Sequence, residues 1–137
     1  MGRKQVEQGK ATEQRIAEFF HNNGYWAYIV PKTIGGQPFD IIACRGNTTW
    51  FVDAKHIEEH KASFDFNRIE PNQKTSMCYA HNFAKMTNIG FGILWDREPQ
   101  KLFFLPYVDY VEMAKQEIMS VKIKELKEFV CENFNIE

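Results

Sequence analysis

The chain has 137 residues, 44% of them hydrophobic and 26% charged, with 17 Lys or Arg against 18 Asp or Glu and a formal net charge of -1. That size suits one domain, residues 1–137, with a real hydrophobic core, and the composition excludes disordered, collagen-like and repeat classes. Net charge near zero rules out a bulk basic surplus, but not a local basic patch offset by acids elsewhere.

Residues 6–23 predict a helix, because Ile16, Ala17 and Phe20 form an apolar stripe at helical spacing and Asn22-Asn23-Gly24 supplies a stop. Glu13 lies on that stripe, three residues before Ile16 and seven before Phe20, so its carboxylate points toward the core and needs a partner. Residues 25–30 are strand formers ended by Pro31, and residues 32–38 form a loop by composition. Next comes a hairpin, from Asp40 through a Gly46-Asn47 turn to Lys55. With a two-residue turn, Arg45 pairs with Thr48 and Cys44 with Thr49, which sets Asp40 directly opposite Asp53, with Lys55 on the same face. Opposed like charges destabilise a sheet unless something positive sits between them, and a divalent metal fits that need. Ile42 and Phe51 on the acidic face, with Ile41, Trp50 and Val52 on the other, predict a sheet covered by helices on both sides.

Residues 56–70 are polar and irregular, holding Phe64 and Phe66 either as core or as aromatic wedges for a branch point, with core favoured. Pro71 opens a helix to about residue 86 that aligns Gln73, Met77, Ala80 and Ala84 on its inner side. Residues 91–95 and 101–105 give two more strands, and helices over 108–117 and 120–133 finish the chain. The expected fold class is therefore α/β, with a sheet of about five strands flanked by helices. Cys44, Cys78 and Cys131, odd in number and without a Cys-x-x-Cys pair, predict free core thiols. No apolar run is long enough to span a bilayer and residues 1–5 lack a signal-peptide core, so a cytoplasmic protein with no membrane partner is expected.

At this point the residues resemble a known family. Pro38-Phe39-Asp40 followed by Asp53-Ala54-Lys55 is similar to the PD-(D/E)xK nuclease signature, with one extra residue between Pro38 and Asp40. Gly9-x-x-x-Glu13 resembles the N-terminal motif of archaeal and RecU-type Holliday junction resolvases. Pro71-Asn72-Gln73 resembles their downstream Gln-bearing helix. The resemblance covers residues 9–106, the expected catalytic core, and a compact phage-borne version would fit. It implies a restriction-endonuclease-like core with a central mixed β-sheet, and a Mg2+- or Mn2+-dependent endodeoxyribonuclease that resolves four-way junctions as a homodimer. Asp40, Asp53, the Ala54 carbonyl and Glu13 would hold the metal, since Mg2+ prefers oxygen donors and keeps several waters. Lys55 would orient or deprotonate the attacking water, Gln73 would support the site from its helix, and Thr33 would contact the scissile phosphate.

Arg3, Lys4, Lys10, Lys32, Arg45, Lys61, Arg68 and Lys74 cluster in the first part of the chain and are the expected DNA-binding residues. Taken singly, each acid could be a solvated strand end or a helix-surface residue; their convergence favours a site. His56 and His60 have a zinc-like spacing but no third ligand. Other readings are a restriction- or repair-type endonuclease on duplex or flap DNA, a catalytically idle DNA-binding module, and an RNA or nucleotide hydrolase.

Overall fold

Strands apolar on both faces demand two covering layers, and the computed structural model, which describes residues 3–32 and 39–129 with side chains from residue 8 onward, has them. Helix α1 (Arg3–His21) leads to β1 (Trp26–Ile29), β2 (Ile41–Arg45) and the long β3 (Thr48–Glu58). A short β4 (Ser63–Asp65) and a 3-10 turn (Phe66–Arg68) precede α2 (Pro71–Asn82). Then come β5 (Ile89–Asp96), β6 (Lys101–Pro106), α3 (Tyr107–Lys115), β7 (Ser120–Lys122) and β8 (Lys127–Glu128). The main sheet has six strands in the order β1-β2-β3-β5-β6-β8, with β3 and β5 parallel and the other neighbours antiparallel; β4 and β7 form a separate ribbon.

Local chemistry explains the first elements. α1 ends in a Schellman motif: Gly24 takes φ 81°, its N–H bonds the His21 carbonyl at 3.0 Å, and the Tyr25 N–H bonds Phe20 at 3.0 Å. The apolar contact that usually accompanies this motif is present as the edge-on Phe20 and Tyr25 rings, 5.3 Å apart. The hairpin turn has the two-residue form the sequence predicts, with Arg45 facing Thr48. Gly46 supplies the positive φ, 58°, while Asn47 stays negative, the φ pattern of a type II′ turn with glycine first.

Each face of the sheet carries its own core. Ile16 and Phe20 of α1 pack on Ile41, Ala43, Val52, Leu94 and Leu102. On the other face α2, α3 and the β4–β7 ribbon enclose Ile57, Phe91, Ile93, Met77, Tyr110 and Val121. Strand parity assigns Asp53 and Lys55 to this second face, beside Phe51 and Ile57.

Several expectations change. Residues 120–133 do not form a helix as far as they are described: β7, a 3-10 turn and β8 occupy residues 120–128. Ile123, Leu126 and Phe129 carry a helical period, but Val121 and Ile123 also alternate with lysines. Pairing of Val121 with Phe64 buries both residues and decides for strand. Phe64 and Phe66 are core, 0% and 6% exposed, so the wedge reading of these two fails. α2 stops at Asn82, leaving Ala84 exposed beyond its end. Cys44 and Cys78 are free thiols but only half-buried; Cys131 lies outside the described residues. Among the described residues no helix is long and apolar enough to cross a membrane.

Gly92 faces Ala54 across the parallel pair, where α1 comes down on the sheet. A Cβ there would stand 2.7 Å from Val52 Cγ1, with Ile16 Cδ1 behind it at 3.8 Å. Gly92→Ala should therefore cost about 1–3 kcal/mol in urea unfolding, and less in a Val52→Ala background, where the clash is gone.

Candidate active site

β2 and β3 remain paired only up to Ile41 and Val52, while β3 continues to Glu58 along β5. From Asp53 onward one edge of β3 is open to other partners, and its backbone groups require them. Asp40 provides one. Its N–H bonds the Val52 carbonyl at 3.0 Å, and its carboxylate Oδ2 accepts the Ala54 N–H at 2.7 Å. The strict opposition of Asp40 and Asp53 therefore does not extend as a ladder pair: Asp40 sits in a bend just before β2. The N–H and C=O of a strand residue point to the same side, so the Ala54 carbonyl faces the opening that Asp40 occupies.

Asp53 is 1% exposed. Its Oδ1 accepts a hydrogen bond from Gln73 Nε2 at 2.9 Å. Oδ2 is buried without a hydrogen-bond partner, and Lys55 Nζ stands 3.4 Å from it. Burial pushes the Asp53 carboxyl well above the usual carboxylate range; the Asp40 carboxyl beside it pushes the same way, and Lys55 pulls back. On α1, Glu13 is also buried. Burial first, then the charge of Asp40, raises it from 4.5 to about 7, while Lys32 and Lys10 oppose the rise. Asp40 thus links an acid from the α1 layer to an acid from the opposite face of the sheet.

Gln73 is the third residue of α2, behind Pro71 at the helix start, and its Oε1 accepts the Glu70 N–H at 3.0 Å in a capping box. The same oxygen accepts from Lys55 Nζ at 3.1 Å. Two donors on the oxygen fix the amide's orientation and aim its NH2 at Asp53. Gln73 is therefore both a helix-capping residue and a member of the cluster. Lys55 also donates to the Arg68 carbonyl at 3.1 Å, so its ammonium is held from three directions. Sequence reasoning misses that backbone anchor because a carbonyl leaves no side-chain signal, whereas Glu70-x-x-Gln73 is a legible capping pattern.

The donor chemistry fits a hard divalent cation: carboxylates on an open strand edge, a carbonyl facing the same gap, and a buried carboxylate oxygen lacking a hydrogen-bond donor. Among the described residues, no three His, Cys, Asp or Glu side chains already converge as a metal cage. His56 and His60 diverge, the first 3.3 Å from Asp96 and the second 3.4 Å from Glu58.

The expected DNA-binding residues divide. Lys10 and Lys32 are exposed and act on Glu13, and Lys74 is exposed next to Gln73. Arg68 lies over the Phe64 ring at 5.5 Å, and Lys61 is exposed past the end of β3. Arg45 is at the turn end of β2, away from the acids, with Nη1 bonded to the Asn23 carbonyl at 3.2 Å and its guanidinium over Tyr25. Thr33 and the side chains of Arg3 and Lys4 lie outside the described residues.

No family model and no curated protein matches this chain. Among solved structures it is similar to Hjc, a Holliday junction resolvase from the archaeal hyperthermophile Archaeoglobus fulgidus. The TM-score is 0.55, covering 89% of this chain and 92% of that one, at 16% identity. A likeness at that identity speaks to the fold: a restriction-endonuclease-like α/β core, here a mixed six-stranded sheet flanked by α-helices.

A carboxyl whose folded pKa is raised binds its proton more tightly in the folded than in the unfolded state, so deprotonation favours unfolding. For Glu13 the loss of stability falls between pH 4.5 and about 7. In EDTA, the melting temperature of the wild type relative to Glu13→Gln should therefore drop across that interval and level off above it. Millimolar Mg2+ should raise wild-type melting more at pH 7.5 than at pH 5; a pH-independent difference would contradict the placement of Glu13.

Proposed function

We propose that this chain is a cytoplasmic, metal-dependent, structure-selective endodeoxyribonuclease that resolves four-way (Holliday) junctions by paired symmetric cuts, in recombination and repair. The observation that carries the reading is that two buried acids, Glu13 and Asp53, each meet the half-buried Asp40 at the open edge of β3, with Lys55 and Gln73 beside Asp53. A solved structure of the same fold is named a Holliday junction resolvase, which supports the substrate class. Paired cuts on a symmetric junction call for two copies related by a two-fold axis, hence a homodimer.

Asp40, Asp53 and the Ala54 carbonyl would hold Mg2+ or Mn2+, with Glu13 binding it directly or through water. The bound ion supplies an acidified water and neutralises charge developing on the phosphodiester. Lys55 would orient the attacking water, or take its proton after giving up one of its own; before substrate binds, its ammonium is held by Asp53, Gln73 and the Arg68 carbonyl. Gln73 keeps the Asp53 carboxylate turned toward the site. Lys10, Lys32 and Lys74 bind phosphates nearest the acids, Lys61 and Arg68 those beyond the end of β3, and Arg3, Lys4 and Thr33 join them; Arg45 contributes only to DNA that runs along β2.

The test is a labelled four-way junction beside a linear duplex of the same sequence, in Mg2+, Mn2+ and EDTA. Symmetric paired nicks on the junction are expected with either metal and none in EDTA. Asp53→Asn should lower cleavage by at least ~100-fold with junction binding kept. Cutting of the duplex at one defined sequence would replace junction resolution with a restriction-type activity, and no cleavage of any DNA with metal would overturn the nuclease reading. Gln73→Ala should weaken Mn2+ binding or activity by about 10- to 100-fold without unfolding the protein. Light scattering should give twice the chain mass at working concentration.

A further inference from the structure

Trp26 and Tyr28 on β1 are 61% and 45% exposed, and their rings lie parallel within 1° with centroids 5.8 Å apart. Large aromatics so displayed need an explanation beyond folding. Tyr28 faces Ile42, and Ile42 faces Phe51, so the pair stands on the face of the sheet that carries Asp53 and Lys55. The alternate residues, Ala27 and Ile29, turn to the α1 core instead. Among the described residues, the core beneath α2 and α3 reaches this end of the sheet only at Phe39 and Phe51 and does not extend over β1.

Position and charge narrow the occupant. The Val30 N–H bonds the Asp40 carbonyl at 2.8 Å, which ties the end of β1 to the acid cluster. Tyr28 and Trp26 then lie about 7 and 13 Å back along the strand at ~3.3 Å per residue, within a few bases of a phosphate held at the acids. Residues 25–32 and 41–52 contain no Asp or Glu, while Lys32, two residues past Val30, is exposed and acts on Glu13. On β1, β2 and the paired part of β3, a phosphate backbone following β1 would meet no fixed negative charge before the acids themselves. Another exposed stack, Tyr79 of α2 with Phe83 just past its end, differs in place: it lines a groove with Lys74, Tyr107 and Tyr110 on the helix layer and not on a strand tied to the acids.

We propose that Trp26 and Tyr28 form a stacking platform for unpaired DNA bases, delivering a frayed or single strand to the acid cluster. The inference rests on the nucleic-acid reading above and adds the residues that would favour branched over fully paired substrate. Paired bases in a duplex are hidden from such a platform; bases loosened at a branch point offer their faces to it.

Trp26 is the most exposed of the three tryptophans, Trp50 being half-buried and Trp95 buried, so its emission reports on the platform. The probes are a short oligo-dT strand and a blunt duplex of equal length, with the full chain in EDTA and, in parallel, the Asp53→Asn protein in Mg2+. Oligo-dT should quench Trp26 emission. Trp26→Ala and Tyr28→Ala should each weaken its binding by roughly ten-fold, with duplex binding and thermal melting unchanged, and Trp26→Phe should retain most of the affinity. Equal losses for strand and duplex, or no loss, would overturn the platform. So would Trp26 shielded from iodide in the free protein together with a dimer broken by Trp26→Ala, which would make this face a seat for a second copy. Cleavage with no effect at Trp26 removes the platform and leaves the nuclease; strand binding through Trp26 with no cleavage in any metal does the reverse.

Discussion

The structure depends on the burial of one carboxylate. Asp53 points into the core-facing side of the central strand with 1% of its surface exposed, where an unpaired charge would be far more costly than any surface ion pair is worth. The surrounding chain supplies an amide from α2, an ammonium two residues along β3 and a second carboxyl from the bend before β2. Those groups do not cancel: a third acid, Glu13, shares the neighbourhood, and both Glu13 and Asp53 are driven toward their protonated forms. A site whose acids are held toward their protonated forms by burial and by one another is adapted to exchange those protons for positive charge from outside. In the same way, the early end of the β2–β3 ladder gives up sheet hydrogen bonds and leaves Ala54 with its backbone turned to the gap.

Much of this was legible in the residues, and for physical reasons. Gly46-Asn47 fixes the hairpin register because few other pairs make so short a turn, and the register carries Asp53 and Lys55 to one face without further assumption. Glu13 was legible as a charge on an apolar stripe. What the extrapolation from the hairpin missed was the bend at Asp40: a side chain competing for a backbone N–H ends the ladder one step early, and strand parity holds no record of that competition. Residues 120–128 failed for a different reason. Their apolar positions satisfy the helical and the strand period together, so only the distant partner strand β4 could decide. Arg45 shows the limit of reading charge by chain position, since a residue near Asp40 in sequence lies at the other end of its strand.

The two layers contribute unequally to the chemistry. α1 brings one acid and a long apolar face, and its close approach over Gly92 and Ala54 presses Glu13 toward Asp40. α2 brings no acid, but its first turn fixes the direction of the Gln73 amide, and through it both Asp53 and Lys55. Helix capping and site assembly are thus a single set of hydrogen bonds, so a change that frays the start of α2 would disturb the cluster before it disturbed the core.

The β4–β7 ribbon has a consequence for the order in which the protein matures. β4 runs into the turn whose Arg68 carbonyl holds Lys55, and β4 is itself paired with residues 120–122, far along the chain. The local hairpin can form as soon as it is synthesised, yet the strand that braces the Lys55 anchor waits for a segment made long afterwards. A nascent chain emerging from the ribosome would carry its acids early and its fully braced lysine late, so a cluster of this kind stays incomplete until most of the polypeptide is available to fold.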